Sequence, residues 1–493
     1  MSHASIRASL RWAVALSWGQ RAVGMLFTVV LAAILGPEAF GIVAMALVYL
    51  AFAELLVEQG FLTTIVQREQ LDREHLDSAF WANLAWSLIL ACGSFLLAGW
   101  WASVNGVPEL QAVIQVMSVL IVVSGLTIVQ QAHLERLLEF RKLAVRANVA
   151  AFAGGITGLL LALVGAGVWA LVAQQVMLEG TSLALLWAVS EWRPRLRFSR
   201  RHAHDLLGFT SGVFLANIGA FLNRRSDTLL MGLFFGPSVV GIYRLADRFV
   251  DSILELTLRP VGLVSLPHLS LLQRDLVALR QTVGTFTRIA MLTTLPALLV
   301  LAACSGYVMA VIGPEWEIGA DALKLLCIVG MVKGLVHFTG PLLFAIARPF
   351  LRAAVVWTLA GVSVVTVLGA GYVLESAGDE AQLDGMSGAR ALVSLVVVAP
   401  LNVLVVWRIV GLSPRTFLRW LPLPLASGLS AALLVQVLSA VGALEAVPPA
   451  VALVVAGMVA VVTASAILVI FEPGARVELR RVLRFGRPSV TEP

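Results

Sequence analysis

The chain has 493 residues, 59% of them hydrophobic and only 13% charged, with a mean hydropathy of +0.92 and a formal charge of +6. Soluble domains carry roughly 25% charged residues, so a chain this poor in charge cannot cover itself with polar groups in water. The net positive charge could suggest nucleic acid, and its position along the chain decides that question.

Apolar stretches of about twenty residues, each long enough to cross a ~30 Å hydrocarbon core, recur from one end to the other. In lipid every backbone N–H and C=O must be satisfied within the segment or by a closed barrel, and these runs are too long and continuous for barrel strands. The expected fold class is therefore an all-α polytopic membrane protein of about fourteen transmembrane helices. In chain order they are predicted near 11–35, 39–60, 79–103, 110–130, 147–165, 168–190, 206–234, 238–258, 285–307, 321–346, 353–374, 387–407, 417–441 and 449–471. The basic start, Met1 to Leu10, leads into the first apolar run without a small-residue cleavage site, so that run reads as a retained helix. Cys92, Cys304 and Cys327 all fall inside apolar runs and read as packing residues, without a disulfide framework or a metal cluster.

The connections alternate in charge. The odd-numbered ones lack Lys and Arg and carry acids instead: Glu38, Glu109, Glu315, Glu317, Glu375, Asp379, Glu380, Asp384 and Glu445. The others hold Arg136, Arg141 and Lys142, then Arg193 to Arg201, Arg274 and Arg280, Arg348 and Arg352, and Arg415 and Arg419, with a basic tail from Arg476 to Arg487. Basic loops stay in the cytoplasm, which places both termini there and requires an even number of crossings. The positive charge is a topology signal, and no nucleic-acid partner is expected.

A self-similarity appears at an offset of 200 residues: TVVLAAILGP ends at Pro37 and TLLMGLFFGP at Pro237. Gly41, Ile42 and Ala46 recur as Gly241, Ile242 and Ala246, and IVQRE at 65–69 is echoed by LLQRD at 271–275. A Gly-Pro pair suits any tight reversal between helices, but the downstream context repeats too. Six crossings separate the copies, so the halves share an orientation and form two parallel six-helix lobes followed by two C-terminal helices. The expected organisation is an N-terminal lobe at 1–190, a basic cytoplasmic linker at 191–205, a C-terminal lobe at 206–410, two extra helices at 411–471 and a basic cytoplasmic tail at 472–493.

The motifs themselves are packing and turn signatures, made specific by their order. The stretch that ends at Gln67, with ILGPEAFGIVAM and ELLVEQGFLTTIVQ, resembles the entry of polysaccharide-transporter flippases in the multidrug/oligosaccharidyl-lipid/polysaccharide exporter superfamily. So do NRRSDTLLMGLFFGPSVVGIYRLADRF at 223–249, VSLPHLSLLQRD at 264–275, IGPEW at 312–316 and GPLLFAIARP at 340–349. The resemblance covers roughly residues 10 to 420. It implies a multi-pass protein of the bacterial inner membrane that moves undecaprenyl-pyrophosphate-linked oligosaccharide units, for O-antigen, capsule or exopolysaccharide, by ion-gradient-driven alternating access. A lipid-linked oligosaccharide and membrane lipids are the implied partners, with a polysaccharide polymerase and co-polymerase beside them. No cofactor is implied, and the sequence has no GxxxxGK[ST] phosphate loop. A peptidoglycan-precursor flippase and a small-molecule exporter of the same superfamily are the alternatives. A membrane glycosyltransferase or polymerase fits less well, because the outer connections are short and lack Arg.

Charges within spans are costly, about 2.5 to 3.5 kcal/mol each even on the lenient insertion scale, so each should face protein or a wet cavity. They are Arg21, Arg224, Arg225, Arg244, Arg248, Lys324, Lys333 and Arg390, with Glu54, Glu58, Glu179, Asp227, Asp247, Asp251 and Glu255. Arg244, Asp247, Arg248, Asp251 and Glu255 share one arc of the eighth helix. They either pair internally as a ladder or line a passage. Given the cargo that the resemblance implies, Arg21, Arg224, Arg225, Arg244, Arg248 and Lys333 are the candidates for holding a pyrophosphate, since guanidinium groups can make bidentate bonds to its oxygens. Snorkelling to the interface is the alternative for Arg21. Asp251, Glu255 and Glu54 are the candidates for ion coupling, and His337, one turn from Lys333, reads as a hydrogen-bonded structural residue.

Overall fold

The computed structural model describes residues 3–58, 72–137, 139–197, 199, 217–444 and 446–471, and of residues 3–18, 20, 21, 58, 140 and 263 the backbone alone. The echo at 65–69, residues 198 and 200–205 of the expected linker and the basic tail lie outside the described residues. Among the described residues, eleven helical stretches are long and apolar enough to cross a membrane. One of them, Ala22–Val57, has 36 residues and is broken at Gly36, whose φ of 73° and ψ of 173° interrupt the helix just before Pro37. The helical run to which it belongs is His3–Glu58, 56 residues, long enough on each side of the break for a crossing of about twenty residues, so that stretch is two crossings. Two further helices, 217–231 and Pro237–Leu271, lie at predicted spans but carry the charges described above. Counting the broken stretch twice and adding these two gives the fourteen crossings expected.

Several boundaries differ from expectation for physical reasons. The Pro237–Leu271 helix runs through Pro260 and Pro267 and well past residue 258, as prolines in membrane helices can when neighbours satisfy the freed carbonyls. The next helix, Leu276–Ala303, starts nine residues before the expected 285, with Asp275 as its cap, so Arg280 belongs to a helix and not to a loop. Asp379, Glu380 and Asp384 likewise begin a helix, Asp379–Val393, where acids favour the first turn. Arg415 and Arg419 sit on a separate short helix, Pro414–Trp420.

The chain forms two compact units, Met1–Leu245 with Ala353–Met386, and Ala246–Arg352 with Ser387–Pro493. In the first, the Phe140–Leu163 and Val168–Val189 helices form a close hairpin around Gly165 and Gly167, both at positive φ. The Arg73–Val104 helix packs on Val119–Arg136, where Asn83 Nδ2 donates to the Gly125 carbonyl at 3.2 Å. Its start also holds the basic segment after Val189: Arg195 N–H donates to Asp77 Oδ1 at 3.2 Å, and Trp81 Nε1 donates to the Arg195 carbonyl at 2.7 Å.

The two repeated turns meet within this unit. A Cβ on Gly41 would lie 2.9 Å from Pro237 Cα and closer still to the Pro237 carbonyl, and one on Gly241 would press into the Pro37 carbonyl and lie 2.8 Å from Gly41 N. Pro37 and Gly41 are one helical turn apart, as are Pro237 and Gly241, so each helix presents its glycine to the other's proline. The sequence repeat is thus a reciprocal, backbone-to-backbone crossing of the kind that small residues permit.

The Pro349–Leu374 helix completes the unit by lying along 217–231. Trp357 covers Gly219, Ser363 Oγ is 2.9 Å from Ser226 Oγ, and Phe234, just beyond the helix, covers Gly371. The pairings advance together, so the two helices run parallel, as the expected seventh and eleventh crossings must.

In the second unit Leu276–Ala303 packs against Ala320–Val336 and Pro422–Ala440. Pro449–Phe471 closes the unit with a buried stripe of Ala452, Ala456, Ala460 and Ala464, one residue per turn. A core of Leu269, Leu279, Val283, Leu342, Val406 and Phe417 gathers where the Leu276–Ala303 helix begins.

Candidate functional site

The Pro237–Leu271 helix carries most of the candidate residues, and its two faces differ. Val239, Tyr243, Ala246, Val250, Leu254 and Leu258 are buried. On the charged arc, Asp247 is buried at 4% exposure, Arg244 and Asp251 are half-buried, and Arg248 and Glu255 are exposed. An exposed Arg and Glu in the middle of a membrane-crossing helix require water or polar partners, since hydrocarbon satisfies neither.

Lys333, on the Ala320–Val336 helix, reaches this arc. Its Nζ donates to Asp251 Oδ1 at 3.1 Å and lies 3.8 Å from Asp247 Oδ1. One ammonium therefore stands between two carboxylates, the kind of partner that a buried carboxylate such as Asp247 requires. Lys333 and Asp251, expected in separate roles, are partners. His337 caps the end of the same helix, with its ring edge-on to Phe338 at 5.1 Å and its Nε2 beside Gly262.

The 217–231 helix places Arg224 at the surface, its Nε donating to the Ala220 carbonyl at 3.3 Å, and Arg225 half-buried beside it. Asp227 is 1% exposed and accepts a 3.0 Å hydrogen bond from the Tyr243 hydroxyl. Glu54 is half-buried on the helix whose Phe52 packs against Phe221, ring centroids 5.6 Å apart. Arg21 lies in the His3–Glu58 helix, and its side chain is outside the described residues.

Two features escaped the sequence reading. Tyr243 is the partner of Asp227, and its signal was available: a tyrosine buried in lipid needs a partner for its hydroxyl. Arg146, just ahead of a predicted span, lies inside the Phe140–Leu163 helix, where its Nη2 donates to Gln131 Oε1 at 3.3 Å and Gln131 donates in turn to Glu135 at 2.8 Å. These polar positions on neighbouring helices are too far apart in sequence for spacing to link them.

Residues 30–319 match the family model described as polysaccharide biosynthesis protein. The chain belongs to that family. Within it, the chain is 30% identical over 325 residues to the succinoglycan biosynthesis transport protein ExoT of Rhizobium meliloti (strain 1021), covering 66% of each chain. It is 28% identical over 334 residues to the lipopolysaccharide biosynthesis protein WzxC of Escherichia coli (strain K12), covering 66% of this chain and 67% of the relative. The matches thus span about two thirds of these relatives' length. Among solved structures, the lipid II flippase MurJ in an inward closed conformation superposes with a TM-score of 0.76 at 13% identity, covering 94% of this chain and 99% of that one. At that identity the likeness establishes the shared fold.

Proposed function

We propose that this chain is a transporter and not an enzyme: a flippase that carries undecaprenyl-pyrophosphate-linked oligosaccharide units from the cytoplasmic to the periplasmic leaflet of a bacterial inner membrane. The observation that carries this reading is the charged arc of the Pro237–Leu271 helix, with Arg248 exposed at a depth where lipid cannot satisfy it. Support comes from relatives named for transport and for assembly of succinoglycan and lipopolysaccharide. A pyrophosphate is the anion such guanidinium groups suit, because two N–H donors of one arginine match two phosphate oxygens.

In this reading Arg224, Arg225, Arg244 and Arg248, joined by Arg21, take the pyrophosphate while the prenyl tail stays in the bilayer. Lys333 acts through Asp247 and Asp251, and ion coupling falls to Asp251, Glu255 or Glu54. The halves at 1–190 and 206–410 serve as the two lobes, both termini are cytoplasmic, and a polymerase and co-polymerase receive the product. The test is polysaccharide export in cells carrying Arg224→Ala or Arg248→Ala at matched membrane levels. Export should fall by at least about tenfold, the loss expected when a buried charge-assisted contact worth about 1.5 to 3 kcal/mol is removed. Undiminished export in both variants refutes the cationic site.

A further inference from the structure

The start of the Leu276–Ala303 helix carries a second polar face that has no part in the proposed transport site. Asp275 caps it, its Oδ1 accepting from the N–H groups of Val277 at 3.0 Å and Ala278 at 2.9 Å. Arg280, Gly284 and Arg288 then follow at steps of four, so they lie along one side of the helix. That side lines a cleft of about 750 Å³ within the second unit, whose opposite wall is Val410, Leu412 and Trp420. The volume falls inside the roughly 300 to 1,000 Å³ typical of small-molecule sites.

Gly284 is the floor. A Cβ there would already lie 3.2 Å from Trp420 Cη2 and 3.8 Å from Leu412 Cδ1, so Gly284 packs directly under Trp420 and a larger side chain would push that wall of the cleft out of place. Arg280 reaches across to the end of the Ala399–Val410 helix, its Nη1 3.7 Å from where a Cβ on Gly411 would stand. Among the described residues no ion pair to a carboxylate is formed by Arg280, and Asp275 spends an oxygen on its cap. Arg288 adds a second positive charge to the same wall while engaged within the protein. The cleft therefore has a cationic, donor-rich side facing an apolar, aromatic one.

Its position in the fold fixes the depth at which a ligand would sit. One wall is the first turns of a membrane-crossing helix, and the other is the end of a crossing together with the short Pro414–Trp420 helix. Leu276, Val277 and Leu418 are all more than 60% exposed beside exposed Arg415 and Arg419, the mixture found in segments that lie at head-group level. Basic clefts between helices at that level attract phosphate head groups.

We propose that this cleft binds one anionic glycerophospholipid of the surrounding leaflet. Its phosphate lies on Arg280 and Arg288, and an acyl chain runs along Trp420, Leu412 and Val410. Such a lipid would tie the Leu276–Ala303 helix to the segment that leads into Pro422–Ala440. The site uses none of the residues assigned to the transported pyrophosphate, so the two proposals stand or fall separately.

Native mass spectrometry of the full-length protein, released from detergent with phosphatidylglycerol or phosphatidylcholine at equal concentration, tests it. Wild-type protein should hold phosphatidylglycerol about tenfold more strongly than phosphatidylcholine, and Arg280→Gln with Arg288→Gln should erase that preference. Gly284→Leu, which leaves both charges in place, should erase it too. Arg415→Gln with Arg419→Gln removes as much charge outside the cleft and should leave the preference intact. Equal retention of the two lipids by wild type, an unchanged preference in the Arg280/Arg288 pair, or an equal loss in the Arg415/Arg419 pair would overturn the proposal. So would displacement of phosphatidylglycerol by equimolar undecaprenyl phosphate, which would make the cleft a cargo site.

Discussion

Replacing Gly41 with alanine strikes the crossing of the two repeated turns, where no side chain can move aside. The new Cβ would stand 2.9 Å from Pro237 Cα and nearer to its carbonyl, whereas non-bonded carbons settle at about 3.5 to 4.0 Å. Relieving the carbonyl contact requires the helices to part by well over ~1 Å, and overpacking of this kind costs about 1 to 3 kcal/mol or more. At ~2 kcal/mol the folded-to-unfolded ratio falls about thirtyfold. Gly241→Ala should cost a similar amount, since its Cβ meets the Pro37 carbonyl and Gly41 N. Once the helices have parted for one methyl they accommodate the second more easily, so the double variant should lose less than the sum. Gly24→Ala is the matched control: nothing lies within 4 Å of its added Cβ, and a helical glycine replaced by alanine gains about 0.5 to 1 kcal/mol. Thermal unfolding of the purified proteins in one detergent reads all four variants. Gly41→Ala no less stable than Gly24→Ala would refute the crossing.

Three further outcomes follow from the charged helices and the topology. Lys333→Ala removes the ammonium that stands between Asp247 and Asp251 and should destabilise the protein by about 1 to 2 kcal/mol, part of the cost of a buried pair because Lys333 is half-exposed; adding Asp247→Asn should restore part of that loss in thermal unfolding, and no restoration would separate the two residues. Tyr243→Phe removes the hydroxyl that donates to Asp227 and should cost about 1 to 3 kcal/mol, so an unshifted melting temperature would show that the bond contributes nothing. Single cysteines at Asp379 and Arg197, in a background without Cys92, Cys304 and Cys327, should react with an impermeant thiol reagent from opposite sides of the membrane; labelling from the same side would break the crossing count.

The features legible in the sequence were the local ones. Gly36, Pro37 and their copies announced both the helix reversals and the repeat, and the last crossing was read as 449–471, the span of Pro449–Phe471 in the fold. Charge misled at Arg280, because an arginine near the end of an apolar run reads as loop when the helix has simply begun earlier at a capping aspartate. The eighth crossing is expected to end at 258, whereas the Pro237–Leu271 helix passes through Pro260 and Pro267. The charged arc on that helix was visible from spacing alone. Its partner was not: Lys333 and Asp251 stand 82 positions apart, and helical periodicity says nothing about which face of another helix will arrive opposite. The same separation hid the meeting of Arg146 with Gln131.

The first compact unit draws its last member from far along the chain. Helix 217–231 waits for Pro349–Leu374 to cover Gly219 and to reach Ser226 with Ser363. During synthesis, roughly a hundred further residues must therefore leave the ribosome and enter the bilayer before this surface is closed. In that interval the Gly219 and Ser226 face stands uncovered on a helix that also carries Arg224, Arg225 and Asp227, a poor substrate for spontaneous release into lipid. Biogenesis of this protein should accordingly lean on the insertion machinery to shelter that helix, and nascent chains halted before Leu374 should be prime targets for quality-control proteases.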